Sequence, residues 1–174
     1  PLVLGLAEVM DYPAVLSGEE DMMNKLVSAI GYNVPIDGHG AGLKGKEINA
    51  YLTAGITTDH ECVHSDEMME RVRRGMYVML REGSAARNLH ELLKGYRKEI
   101  SHRLLFCTDD KHIDDLLEEG TIDYHVRECL KAGIDIYSVL RMASLNAAQC
   151  YHLKGKGAIA PGYDADFILL KDVS

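Results

Sequence analysis

Five short apolar runs in this chain each stop on residues able to bind a metal ion or move a proton. They are Val3–Glu8 (VLGLAE), Val34–His39 (VPIDGH), Gly55–His60 (GITTDH), Tyr77–Glu82 (YVMLRE) and Leu104–Asp110 (LLFCTDD). A run of about six residues rich in Val, Ile and Leu fits a strand buried on both faces of a parallel sheet. Segments with helical periodicity fill the gaps. Glu19–Ile30 sets Met22, Met23, Leu26, Val27 and Ile30 on one face, and Lys46–Ala54, Ser65–Arg74 and Ser84–Tyr96 follow the same rule. Ser65 and Ser84 are the expected N-caps of the last two. Alternating strand and helix, at 20–30 residues per unit, defines an α/β fold with a parallel sheet.

After Asp110 the pattern changes. Ile113–Glu119, Ile122–Lys131 and Asp135–Tyr151 read as helices with no strand between them. A Gly-rich turn at Gly155–Gly157 then leads to Phe167–Leu170, read as a strand of a different neighbourhood. The expected division is therefore 1–153 and 154–174.

Bulk composition narrows the functions. A net charge of −8 with scattered Lys and Arg argues against a nucleic-acid backbone as partner. No stretch approaches the ~18 apolar residues of a membrane span. Cys62, Cys107, Cys129 and Cys150 include no C-x-x-C pair, so free buried thiols and a reducing, cytoplasmic setting are expected. The densest basic group, Arg71, Arg73 and Arg74, reads as a solvated helix face. The many Met residues read as core filling, and His90, His102, His112, His125 and His152 as surface or capping residues.

What remains is the set at the strand tips. His39 and His60 end successive runs, with Glu8 before them and Asp109 after. Polar residues at the C-terminal tips of several parallel strands are how an α/β barrel builds an active site. Neutral imidazole and carboxylate are the donors that Zn, Mn and Fe accept, and a carboxylate can bridge two ions. The set implies a metal-dependent hydrolase.

Glu8 in LGLAEVM, His39 in DGHGAGLKGKEINAY, His60 in AGITTDHE, REGSAARNL (Arg81–Leu89) and LLFCTDD together resemble the bacterial adenine deaminase family, within the amidohydrolase superfamily. Gly157–Asp166 resembles a segment shared across that superfamily. The resemblance implies a (β/α)8 barrel with a small β domain beside it, this chain supplying barrel strands four to eight. It implies Glu8, His39, His60 and Asp109 as ligands of a binuclear site, Mn or Fe before Zn. Asp109, which follows Thr108, is preferred to Asp110 and doubles as the proton shuttle; Glu61 joins it as a catalytic residue. Arg81, Glu82, Ser84 and Asp110 are expected along the substrate edge. The implied reaction is adenine plus water to hypoxanthine plus ammonia, in purine salvage, with self-association left open. The superfamily's H-x-H pair does not occur here, so the chain reads as a fragment whose first strands precede Pro1. Two alternatives stay open: an amidohydrolase acting on a cyclic amide or N-acyl substrate, and a non-catalytic remnant.

Overall fold

A computed structural model describes residues 3–172. Each apolar run contributes a strand: β1 (Leu6–Val9), β2 (Ile36–Gly38), β3 (Thr58–Asp59), β4 (Tyr77–Arg81) and β5 (Leu104–Cys107). β1 pairs with β2, and β3, β4 and β5 form a three-stranded sheet; every ladder is parallel. No ladder joins β2 to β3. A seam of side-chain bonding does so instead: the Gly38 amide donates to Thr58 Oγ1 at 2.9 Å, and that hydroxyl donates to Asp37 Oδ1. The backbones meet so closely that a Cβ on Gly38 would lie 2.0 Å from the Thr58 carbonyl oxygen.

Helices cover the strands. α1 (Tyr12–Ser17), α2 (Glu20–Gly31) and α3 (Lys46–Thr53) belong with β1 and β2, where Leu26, Ile36, Ile48, Tyr51 and Ile56 are fully buried or nearly so. α4 (Ser65–Arg73), α5 (Leu89–Leu93), α7 (Ile122–Lys131) and α8 (Ile136–Ala143) enclose Val78, Leu80, Leu104 and Phe106. Each fully buried aliphatic side chain contributes about 1.5–3 kcal/mol. The other face of β4 and β5, through Met79 and Leu105, packs on Cys150 of α9 (Leu145–Cys150). α6 (Ile113–Glu118) stands apart, with no buried residue.

Several expectations need correction. The helix read over Ser84–Tyr96 shrinks to Leu89–Leu93, because the Ser84, Ala85 and Ala86 amides donate to Asp110 rather than to a helical ladder. The N-cap of α4 is His64, not Ser65; Glu67 accepts from the amides of Val63 and His64. The helix read over Asp135–Tyr151 breaks at Ser144 into α8 and α9. Phe167–Leu170 forms no strand: its side chains are exposed, and no segment among the described residues pairs with it. Arg71 is not solvated but wholly buried, and His125 is buried with its two ring nitrogens against the carbonyls of Thr121 and Cys107.

No described helix is long and apolar enough to cross a membrane. The four cysteines are free, and burial pushes the thiols of Cys107, Cys129 and Cys150 up to about 12, so they stay protonated.

Candidate active site

Strand side chains alternate between faces with a period of two. Along β4 the alternation sends Val78 and Leu80 toward the helices and Met79 toward α9, and Arg81 continues the Met79 series. Along β5, Leu105 and Cys107 lead in the same way to Asp109. His39 follows Asp37 on β2, and His60 follows Thr58 on β3. Residues that the sequence scatters thereby come to one rim.

There His39 Nδ1 lies 3.0 Å and His60 Nε2 lies 3.2 Å from the same oxygen, Oε2 of Glu8. The two imidazoles meet edge to face, with centroids 5.3 Å apart. Glu61 Oε1 is 3.8 Å from the first ring nitrogen and 3.5 Å from the second. Glu8, His39 and His60 form one group whose donor atoms all lie within 4.8 Å of one another; His60, Glu61 and Asp109 form another. Two imidazole nitrogens gathered on one carboxylate make, once deprotonated, a donor set that suits a transition-metal dication. The two groups share His60, whose ring nitrogen can serve only one ion at a time, so the carboxylates are the residues able to reach a second.

Arg81 sits between the acids. Its Nη1 donates to Glu61 Oε1 and, at 3.1 Å, to Asp109 Oδ2, while Nε and Nη2 both reach Asn88 Oδ1. Burial works against a charged guanidinium, and the two carboxylates more than offset it, so Arg81 stays protonated. Asp109 adopts a left-handed backbone, φ 53°, a conformation in which Asp is enriched several-fold among non-glycine residues.

Glu82, Ser84 and Asp110 do not join the cluster. Glu82 is buried on the helix side of β4, accepting from the Leu89 amide at 3.2 Å. Ser84 Oγ donates to Asp115 and accepts from the His112 amide at 2.8 Å. Asp110 fastens the loop after β4 through three backbone amides, and Gly83 leaves the room this needs. Burial pushes the Asp110 carboxyl up, but the amides of Ala85, Ser84 and Ala86 outweigh it and hold the group below the usual carboxylate range. A depressed carboxyl stabilises the fold above its ordinary titration range, and that contribution is lost as pH falls through the depressed value. Asp110→Ala should therefore speed hydrogen exchange at Ser84 and Ala85 at neutral pH, and the difference from wild type should vanish in acid.

Sequence reasoning missed the residues that hold the tips in place. Tyr51 donates its phenol to the Val9 carbonyl at 2.6 Å and accepts from the His39 amide at 2.9 Å, tying β1 to β2 beside both ligand-type residues. Phenylalanine at position 51 would leave both backbone groups without that partner, and the expected cost is about 1–3 kcal/mol in denaturant unfolding. Asp59, inside the TTDHE segment but given no role, is buried against Arg71. Below the rim, Asp37 also accepts from Tyr151 Oη at 3.0 Å. A cleft of about 790 Å³ opens elsewhere, where Val3, Leu4 and Val34 face Tyr151 and Leu153, and holds none of the clustered donors.

Parallel strands alternating with helices, with carboxylates and imidazoles gathered at one rim, are the arrangement in which α/β hydrolases carry their active sites. Residues 2–173 match the amidohydrolase family, and the chain belongs to it. It is 56% identical over 170 residues to an adenine deaminase of Bacillus pumilus (strain SAFR-032), and 49% identical over 171 residues to that of Bacillus subtilis (strain 168). Each alignment takes in 98% of this chain, which spans about 30% of the length of those curated relatives. The fold is similar to that of β-aspartyl dipeptidase from Fervidobacterium islandicum AW-1, solved with a β-Asp-Leu dipeptide: TM-score 0.68 at 17% identity, over 94% of this chain and 52% of that one.

Proposed function

We propose that this chain forms one ligand-bearing part of an adenine deaminase, in which water displaces the 6-amino group to give hypoxanthine and ammonia. The observation that carries the proposal is the convergence of His39 and His60 on one oxygen of Glu8, with Glu61 and Asp109 alongside. In this reading the five strands are the fourth to eighth of a (β/α)8 barrel, and residues from 154 onward lead toward an adjoining domain.

Glu8, His39 and His60 would hold one divalent cation, and Asp109 would contribute to a second, with the Glu8 carboxylate able to bridge the two; the donors suit Mn and Fe as well as Zn. A cation bound there supplies Lewis acidity, which makes a water molecule acidic enough to attack at neutral pH. The remaining work falls to side chains. Asp109 takes a proton from the attacking water on a carboxylate oxygen and passes it to the departing amine. Arg81 keeps Asp109 and Glu61 from swinging apart while this happens. Glu61 faces the same space and is suited to exchange a proton with the purine edge. The balance is adenine plus water to hypoxanthine plus ammonia, with no redox step.

Arg81, expected along the substrate edge, holds the acids in this proposal, since its donors are engaged by Glu61, Asp109 and Asn88. Glu82, Ser84 and Asp110 are reassigned to building the loop after β4. The expected turnover is of adenine by the native protein supplied with Mn²⁺ or Fe²⁺, followed by chromatography of hypoxanthine. Turnover of a dihydropyrimidine or an N-acyl amino acid, with adenine untouched, would remove the substrate assignment and leave the hydrolase class standing.

A further inference from the structure

Arg71 and Asp59 are both fully buried, and the pair lies against the ligand-bearing rim. Nε of Arg71 is 2.5 Å from Asp59 Oδ2, and Nη2 donates to the Gly40 carbonyl at 2.7 Å. The other Asp59 oxygen accepts from the Gly40 amide at 3.1 Å and from the Glu61 amide at 2.9 Å. Gly40 follows His39, and Glu61 follows His60. One ion pair thus grips both backbone polar groups of the residue beyond the first imidazole and the amide beyond the second. Glycine at position 40 is what permits the approach: a Cβ there would lie 2.8 Å from Asp59 Oδ2.

A buried ion pair is a poor source of stability, because well-packed apolar residues of equal volume often do as well or better. Apolar residues could not fix three backbone polar groups in two separate turns, as this pair does. We propose that Arg71 is a positioning residue for the metal centre: through Asp59 and Gly40 it sets the spacing of His39 and His60, and so the affinity of the site for a divalent cation. The proposal rests on the reading of Glu8, His39 and His60 as metal ligands. It concerns no residue that touches substrate.

Arg71→Lys is the direct test. Lysine keeps the charge but is a point donor, and cannot span Asp59 and the Gly40 carbonyl as the planar guanidinium does. In the native protein, Mn²⁺ affinity measured against a chromophoric chelator should fall by about 10–100-fold, the usual effect of losing a partner that orients a ligand. The visible absorption of the Co²⁺-loaded protein should change with it. Val139→Ala, a core truncation in α8, controls for general destabilisation: it should lower the melting temperature and leave Mn²⁺ affinity and the Co²⁺ spectrum as they were. If R71K does not fold, the uncharged pair Asp59→Asn with Arg71→Gln takes its place, with the same loss expected. Affinity within about twofold of wild type in the folded variant overturns the proposal, since lost orientation costs more than that. If wild type binds Mn²⁺ and the variant binds it equally, only the role of Arg71 falls. If wild type itself binds no divalent cation, the metal reading of the rim falls and this inference with it.

Discussion

Alanine at position 60 should abolish adenine turnover by the native protein, a fall on the order of a thousandfold or more, and should reduce the metal it carries. His60 supplies one of the two imidazole nitrogens gathered on Glu8, so its loss removes half of the nitrogen donors of that group. What disappears is the acidification of water, whose pKa a bound cation lowers to about 7. Chelating the wild-type protein should reproduce the same loss, and restoring Mn²⁺ should reverse it in wild type but not in the variant. Metal analysis beside the activity assay separates the explanations. Full turnover with unchanged metal content in His60→Ala would remove His60 from the ligand set.

The second large effect is structural. Gly38→Ala places a methyl group where the Thr58 carbonyl oxygen already lies, 2.0 Å from the new carbon. The neighbour is backbone, so no side chain can rotate away. The strands must part, and the seam that joins β2 to β3 through Thr58 and Asp37 goes with them. Overpacking of this kind costs about 3 kcal/mol, which corresponds to a melting temperature lower by roughly 6–12 °C in a chain of this size. Because Gly38 precedes His39, metal affinity should fall as well. A melting temperature equal to wild type would show that the seam accommodates side chains, against the close approach described above.

Much of this was legible in the amino-acid sequence, for reasons that differ by element. The strands were legible because each is a short apolar run ending in a polar tip, and α2, α3 and α7 because their apolar residues keep helical spacing over two turns or more. α1 spans only six residues, too few for a period to declare itself. The loop at residues 84–86 defeated the reading because the carboxylate that captures its amides lies about 25 positions further on. At the site, His39, His60 and Asp109 were legible because each stands just past the end of an apolar run, where parallel strands present their C-terminal tips. Arg71 stayed hidden for the opposite reason. A charged residue on an amphipathic helix reads as solvent-facing, and only folding delivers the buried carboxylate twelve residues earlier that makes its burial tolerable. Tyr51 counts by its ring toward the apolar face of α3, whereas its contribution at the site lies in the hydroxyl.

The bond from Tyr151 to Asp37 spans 114 positions along the chain. During vectorial synthesis the second oxygen of Asp37 has no protein donor from that direction until the end of α9 has left the ribosome. The floor beneath the rim is therefore closed only after β1 to β5 have been made. Such distant contacts return their energy only after the chain's loop entropy has been spent, which slows folding. The same arrangement makes the floor a late checkpoint: a chain arrested before residue 151 would hold its rim residues over an unsealed base.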